Sequence, residues 1–255
     1  MILTDTHTHL YAKEFDHDRE EVIKSAFQKG VQYFLLPNID ESSINPLHEL
    51  CNQWPGHVLP MMGLHPTSVT QDFESQLQQI FGLFNNRKYH AVGEIGIDLY
   101  WDTSLEQEQR IAFIQQCKNA IEMDLPVAIH MRNSYEAIMD ELKKLNDSRL
   151  RGVFHCFTGN HEQAAEILDM GFYLGIGGVL TFKNTKLGNV IKDVPLEKIV
   201  LETDAPYLAP HPYRGKRNES SYIPLIARKL ADINQTDIEI VAEKTTTNAK
   251  QLFGF

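Results

Sequence analysis

Leu3-Thr4-Asp5-Thr6-His7-Thr8-His9-Leu10 is the stretch on which the reading of this chain turns. Its small and β-branched residues suit a short buried strand. Side chains alternate across a strand, so His7 and His9 share one face and Thr8 takes the other. Two imidazoles on one face near a strand end make half of a metal site. Among 11 histidines in 255 residues such a pair also arises by chance. The test is whether later strand ends supply further ligands.

Working outward, apolar strands alternate with amphipathic helices. Asp16 to Lys29 carries Val22, Ile23, Ala26 and Phe27 on one stripe and stops at Gly30. The further expected strands are 31–36, 58–63, 91–96, 126–131, 152–155, 172–176 and 198–202, eight with the first. Helices are expected near 42–53 and 73–84. Further ones carry Ile114, Cys117 and Ile121 behind a Thr103/Glu106 capping box, then Ile138, Leu142 and Leu145, then Ala164, Ala165 and Leu168 behind Asn160/Gln163. Two more close the chain, the last opened by Thr236/Glu239. Eight such units in 255 residues predict one domain, 1–255, folded as an α/β (β/α)8 TIM barrel, with a doubly wound open sheet as the structural rival.

Composition bounds the function. The chain is 42% hydrophobic and 23% charged, and no apolar run approaches the roughly 20 residues of a membrane span. The first strand begins at once, so no signal peptide is expected. Three scattered cysteines, Cys51, Cys117 and Cys156, fit reduced thiols in a cytoplasmic protein rather than a disulfide framework. A net charge of −10 argues against broad electrostatic binding of nucleic acid, though not against a site that grips one strand end.

Catalytic groups in a barrel sit at the C-terminal ends of its strands. There this sequence places His7 and His9, then His65, Glu94, His130, His155, and finally Glu202 with Asp204. The set suffices for two divalent ions with Glu94 between them. His130 alone could be a core histidine and Asp204 alone a cap, but a buried Glu94 between Gly93 and Gly96 needs a partner.

These residues carry a resemblance. Asp5-Thr6-His7-Thr8-His9-Leu10, Gly63-Leu64-His65-Pro66, Gly93-Glu94-Ile95-Gly96-Ile97-Asp98 and His130-Met131-Arg132 match the TatD-type metal-dependent deoxyribonucleases in order and spacing. So do 155–159, 201–210 and 214–218, and the likeness covers essentially the whole chain. It implies an amidohydrolase-type barrel in which His7, His9, Glu94 and Asp204 hold one metal and Glu94, His130 and His155 another. It also implies cleavage of phosphodiester bonds in DNA, by trimming single-stranded ends. Asn133 stands where that family often has Asp, and Ser220 where Pro is common; neither is an expected ligand.

The expected chemistry is attack by a metal-activated water, with Asp204 handling its proton and Glu94 bridging. His65 and Arg132 are candidates for holding phosphate oxygens, the guanidinium because its planar fork matches phosphate. Arg214 and Lys216, in the basic loop 211–218, are candidates for gripping the backbone, with Tyr207 or Tyr213 offering a face to a base. Glu202 either orients a ligand histidine or pairs with Arg132, and Trp101 either lines the cleft or packs on a loop. Zinc, nickel or manganese suits four imidazoles better than magnesium. DNA is the expected partner, with no membrane and no obligate protein partner. An amide or ester hydrolase of lactonase or aminoacyl-ester deacylase type would use the same ligands, and a metal protein without catalysis would not need Asp204.

Overall fold

Short apolar runs rich in β-branched residues, several of them bounded by Gly or Pro, form the strands. In the computed structural model, which describes residues 1–255, these are β1 (Leu3–Asp5), β2 (Val31–Leu36), β3 (Val58–Pro60), β4 (Val92–Asp98), β5 (Val127–Arg132), β6 (Gly152–Phe154), β7 (Tyr173–Ile176) and β8 (Ile199–Leu201). The helices between and after them are α1 (Arg19–Gln28), α2 (Glu41–Gln53), α3 (Phe73–Leu83), α4 (Glu106–Glu122), α5 (Tyr135–Leu145), α6 (His161–Asp169), α7 (Leu187–Ile191), α8 (Ile223–Asn234) and α9 (Ile238–Phe253).

All strand pairs are parallel, in the orders β1-β2-β3 and β4-β5-β6-β7-β8. Two seams join these groups. Met62 bridges Val92, and the Met62 amide donates to the Ala91 carbonyl at 3.1 Å. Thr8 bridges Ala205, and the Thr6 amide donates to the Leu201 carbonyl at 3.0 Å. The strands therefore close on themselves in sequence order, which is a barrel and not an open sheet.

The pleat positions the site. Ala128, Val153 and Val200 point inward and, with Leu35, Leu59 and Met61, form an apolar floor inside the barrel, closed below by Leu252 and Phe253 of α9. Two positions on come His130, on β5, and His155 and Glu202, one residue past the ends of β6 and β8. A polar layer thus rests on a dry floor. Outside, a cluster of 50 buried residues packs the helices on the strands.

Several elements differ from the sequence expectation. β1 ends at Asp5, so His7 and His9 follow the strand in a segment tied to the chain beyond β8. β4 runs on to Asp98, two residues past the expected end. Asn160 and Gln163 do form a capping box. Thr103/Glu106 does not: α4 begins behind Leu105, and the Glu106 carboxylate pairs instead with Arg110 at 2.7 Å. Asp237, without a side-chain capping bond, precedes α9, so Thr236/Glu239 makes no box either. On α4, Ile114 and Ile121 are only half-buried, while Gln109 and Gln116 are buried. α7 was not expected at all.

Candidate metal centre

Glu94 stands at the centre of the polar layer. Its amide donates to the Asn38 carbonyl at 3.1 Å, and Asn38 in turn holds the Gly63 carbonyl through its side chain at 2.8 Å. Glycine is needed on both sides. A Cβ at Gly93 would meet the Ala128 Cβ at 2.7 Å, and one at Gly96 (φ +148°) would meet the His130 carbonyl oxygen at 2.0 Å. The two oxygens of Glu94 face different neighbours. Oε2 lies 3.0 Å from His7 Nε2 and 3.8 Å from His9 Nε2. Oε1 lies 2.8 Å from His130 Nδ1, 2.9 Å from His155 Nε2 and 3.4 Å from His65 Nε2.

Asp204 completes the first group. It takes a left-handed conformation (φ +58°), its amide donates to the His7 carbonyl at 2.9 Å, and Oδ1 lies 3.4 Å from His9 Nε2 and 4.0 Å from His7 Nε2. Asp5 fixes this junction from below. Fully buried, it accepts from the Thr203 amide (2.9 Å) and hydroxyl (2.6 Å), and burial pushes its carboxyl up to about 7. Donor atoms of His7, His155 and Asp204, of His7, His9 and Glu94, and of His65, Glu94 and His130 lie within 4.8 Å of one another in each group.

Hydrogen bonds settle which ring nitrogens face inward as lone pairs. The Tyr11 hydroxyl donates to the Pro37 carbonyl at 2.6 Å, and a carbonyl can only accept. His9 Nδ1, 2.9 Å from that hydroxyl, must therefore be the donor, so in the neutral ring Nε2 presents a lone pair to Asp204 and Glu94. A lone pair facing carboxylates calls for a cation, and two carboxylates with convergent imidazoles are a suitable donor set for divalent metals. His65 is different. The Thr67 amide donates to its Nδ1 at 3.1 Å, so Nε2 carries the proton and points a donor into the site.

Charge is balanced within the cluster. Burial works against ionisation of Glu94, but His155, His7 and His65 outweigh it together and hold its carboxyl well below the ordinary range. Burial disfavours a proton on His155, yet Glu94 and Glu202 raise that imidazole well above its usual value. Burial and the neighbouring His155 push His7 down.

Three side chains behind the ligands were not read from the sequence as such. Asp98, beyond the expected end of the fourth strand, is buried and lies 2.9 Å from His130 Nε2. Gln116 grips the Leu64 amide (2.7 Å) and carbonyl (3.2 Å) just before His65, while Gln109 accepts from the Asp98 amide at 2.8 Å. One polar face of α4 thereby seats two strand ends.

Glu202 accepts from the Cys156 amide and lies 3.5 Å from His155 Nδ1, so it faces a histidine and not Arg132. Arg132 instead stacks over Tyr100, 3.8 Å from the ring centroid. Arg214 lies over Phe182 at 3.6 Å and Lys216 sits 6.0 Å from the Tyr213 ring, outside the ligand cluster. Tyr213 stacks on Tyr222, whereas Tyr207 is exposed beside His9.

The family model of TatD-related DNases matches residues 4–254. The chain belongs to the TatD-related DNase family. A relative from Bacillus subtilis, the uncharacterised metal-dependent hydrolase YabD, is 38% identical over 99% of both chains. The Salmonella typhimurium protein named 3'-5' ssDNA/RNA exonuclease TatD is 32% identical over 98% of both. Among solved structures, the TatD homologue YjjV from Escherichia coli superimposes with a TM-score of 0.93 at 28% identity, covering 99% of this chain and 98% of that one. TatD-family membership makes this a metal-dependent hydrolase. No helix is long and apolar enough to cross a membrane.

Proposed function

We propose that this protein is a two-metal nuclease that shortens single-stranded DNA from its 3′ end. The observation that carries the reading is the division of Glu94, whose two oxygens face separate donor groups. In this reading His7, His9, Glu94 and Asp204 hold one ion and Glu94, His130 and His155 the other, zinc, nickel or manganese before magnesium. Such ions, when bound, lower the pKa of water and neutralise charge on a phosphodiester.

The chain's own groups do the rest. Asp204, its side chain 15% exposed at the rim of the cluster, accepts the proton of the attacking water at Oδ1 and returns one to the leaving oxygen. His65 donates from Nε2 to a phosphate oxygen, which the Thr67 amide at Nδ1 favours. Arg132 adds a charged donor at the end of β5, and Arg214 and Lys216 attract backbone farther out. The 3′ polarity and the single-stranded substrate are supported by the name of the Salmonella relative.

The test is metal-stripped protein given each divalent ion in turn, with a 5′-labelled single-stranded oligonucleotide and an ester chromogen. A ladder shortened from the 3′ end, absent with Asp204→Asn, is expected. Ester or amide turnover with intact DNA would transfer the same centre to the lactonase or deacylase class.

A further inference from the structure

The mouth of the barrel carries a second constellation, of which the chemistry above uses only Arg132. Just past β4, Tyr100 and Trp101 stand 51% and 72% exposed, their ring centroids 4.8 Å apart at 89°. Arg132 lays its guanidinium 3.8 Å from the centroid of Tyr100 and 5.2 Å from that of Trp101. Arg132 follows His130 by two residues on β5 and so shares its strand face. A chain of contacts ties this group to the ligand layer. The Tyr100 amide donates to Asp98 Oδ1 at 2.9 Å, Asp98 Oδ2 lies 2.9 Å from His130 Nε2, and His130 Nδ1 lies 2.8 Å from Glu94.

Leaving an indole and a phenol in water forgoes the burial that large apolar side chains ordinarily gain. Here they flank a guanidinium that has no carboxylate partner, in a chain of net charge −10. Planar π faces next to an unpaired cation match a flat aromatic group that carries a phosphate.

We propose that Tyr100, Trp101 and Arg132 form a stacking platform for an unpaired nucleobase of the strand whose end enters the metal centre. The proposal rests on the nuclease reading above. A base inside a duplex has both faces covered, so the platform suits an unpaired base at a strand end.

The chain has 2 tryptophans, and Trp54 caps the C-terminal end of α2, at the opposite end of the barrel. Trp54→Phe with Asp204→Asn therefore leaves Trp101 as the reporting indole in a protein that binds without turnover. Metal-loaded protein is titrated with a short oligothymidylate and with a fully abasic chain of equal length. Quenching by the thymidylate and not by the abasic chain is expected. In kinetics, Trp101→Ala should raise KM about tenfold for thymidylate and less than about twofold for the abasic chain. Equal quenching and equal KM changes for both chains would overturn the platform while the nuclease reading stands. Failure of the unmutated protein to cleave any oligonucleotide would overturn that reading, and the platform with it.

Discussion

Asn218→Ala should loosen the loop that presents Asp204 without touching Asp204 itself. Asn218 is fully buried, and its amide nitrogen donates to the carbonyls of Thr203 (2.7 Å) and Tyr207 (2.6 Å), one on each side of Asp204. Its oxygen accepts from the Glu219 amide at 2.9 Å. The substitution leaves one buried acceptor, one part-buried acceptor and one part-buried donor without partners. Each such group costs about 1–3 kcal/mol, and the three are too close to add fully, so about 3 kcal/mol is expected. With a urea slope of about 3 kcal/mol/M, the unfolding midpoint should fall by about 1 M. A reacting group misplaced by about 1 Å costs on the order of 100-fold in rate, so kcat should drop even where the protein is folded. Arg217→Ala is the internal comparison. That guanidinium pairs with Asp18 at 2.6 Å in a partly exposed position, and its loss should cost less than about 1 kcal/mol. A midpoint shift below about 0.2 M with unchanged kcat for Asn218→Ala would refute the argument that buried carbonyl satisfaction holds the loop.

Tyr11→Phe removes the hydroxyl that makes His9 Nδ1 a donor and should weaken metal binding about 10–100-fold, read by calorimetric titration; unchanged affinity would dismiss the tautomer argument. Glu94→Gln should lower the content of both ions by elemental analysis, and retention of both would defeat the bridging assignment. Gly175→Ala would drive a Cβ to 2.4 Å from Glu202 Oε2, so a folded variant should show reduced metal content, because Glu202 backs His155. Divalent metal at about 100 times its dissociation constant should raise Tm by about 5–10 °C and release protons, since ligating imidazoles must give theirs up; a chelator should reverse both.

The alternation of strands and helices was legible because it is written in local patterns: short apolar runs, glycine and proline stops, and stripes at helical spacing. Barrel closure follows from the number of units. The residues that converge in the centre were legible as a set because histidine and carboxylate are expensive at buried strand ends. What escaped was whatever depends on contact between distant segments. Gln109 and Gln116 look like surface residues on α4 until the backbone ends of Asp98 and Leu64 are laid against them. Glu106 matches a cap by spacing, but Arg110 one turn on offers its carboxylate a charged partner. Asp98 falls beyond the expected strand 91–96, and its contact with His130 depends on the neighbouring strand, where Gly96 clears the His130 carbonyl. The orientation of Glu202 toward His155, and of Arg132 toward Tyr100, is likewise a matter of tertiary placement.

The seam between the first and last strands has a consequence for synthesis on the ribosome. His7 and His9 emerge first, yet the segment that carries them is held by bonds from Thr6 to Leu201 and between Thr8 and Ala205, nearly 200 residues later. Contacts of such separation form late and slowly. Until residue 205 has left the exit tunnel, the early histidines lack both the wall behind them and the carboxylate of Asp204. A partly made chain, or one cut short by a stalled message, therefore has no complete centre to load. On the reading proposed above, a complete centre arises only when the barrel closes, all at once and never in a fragment.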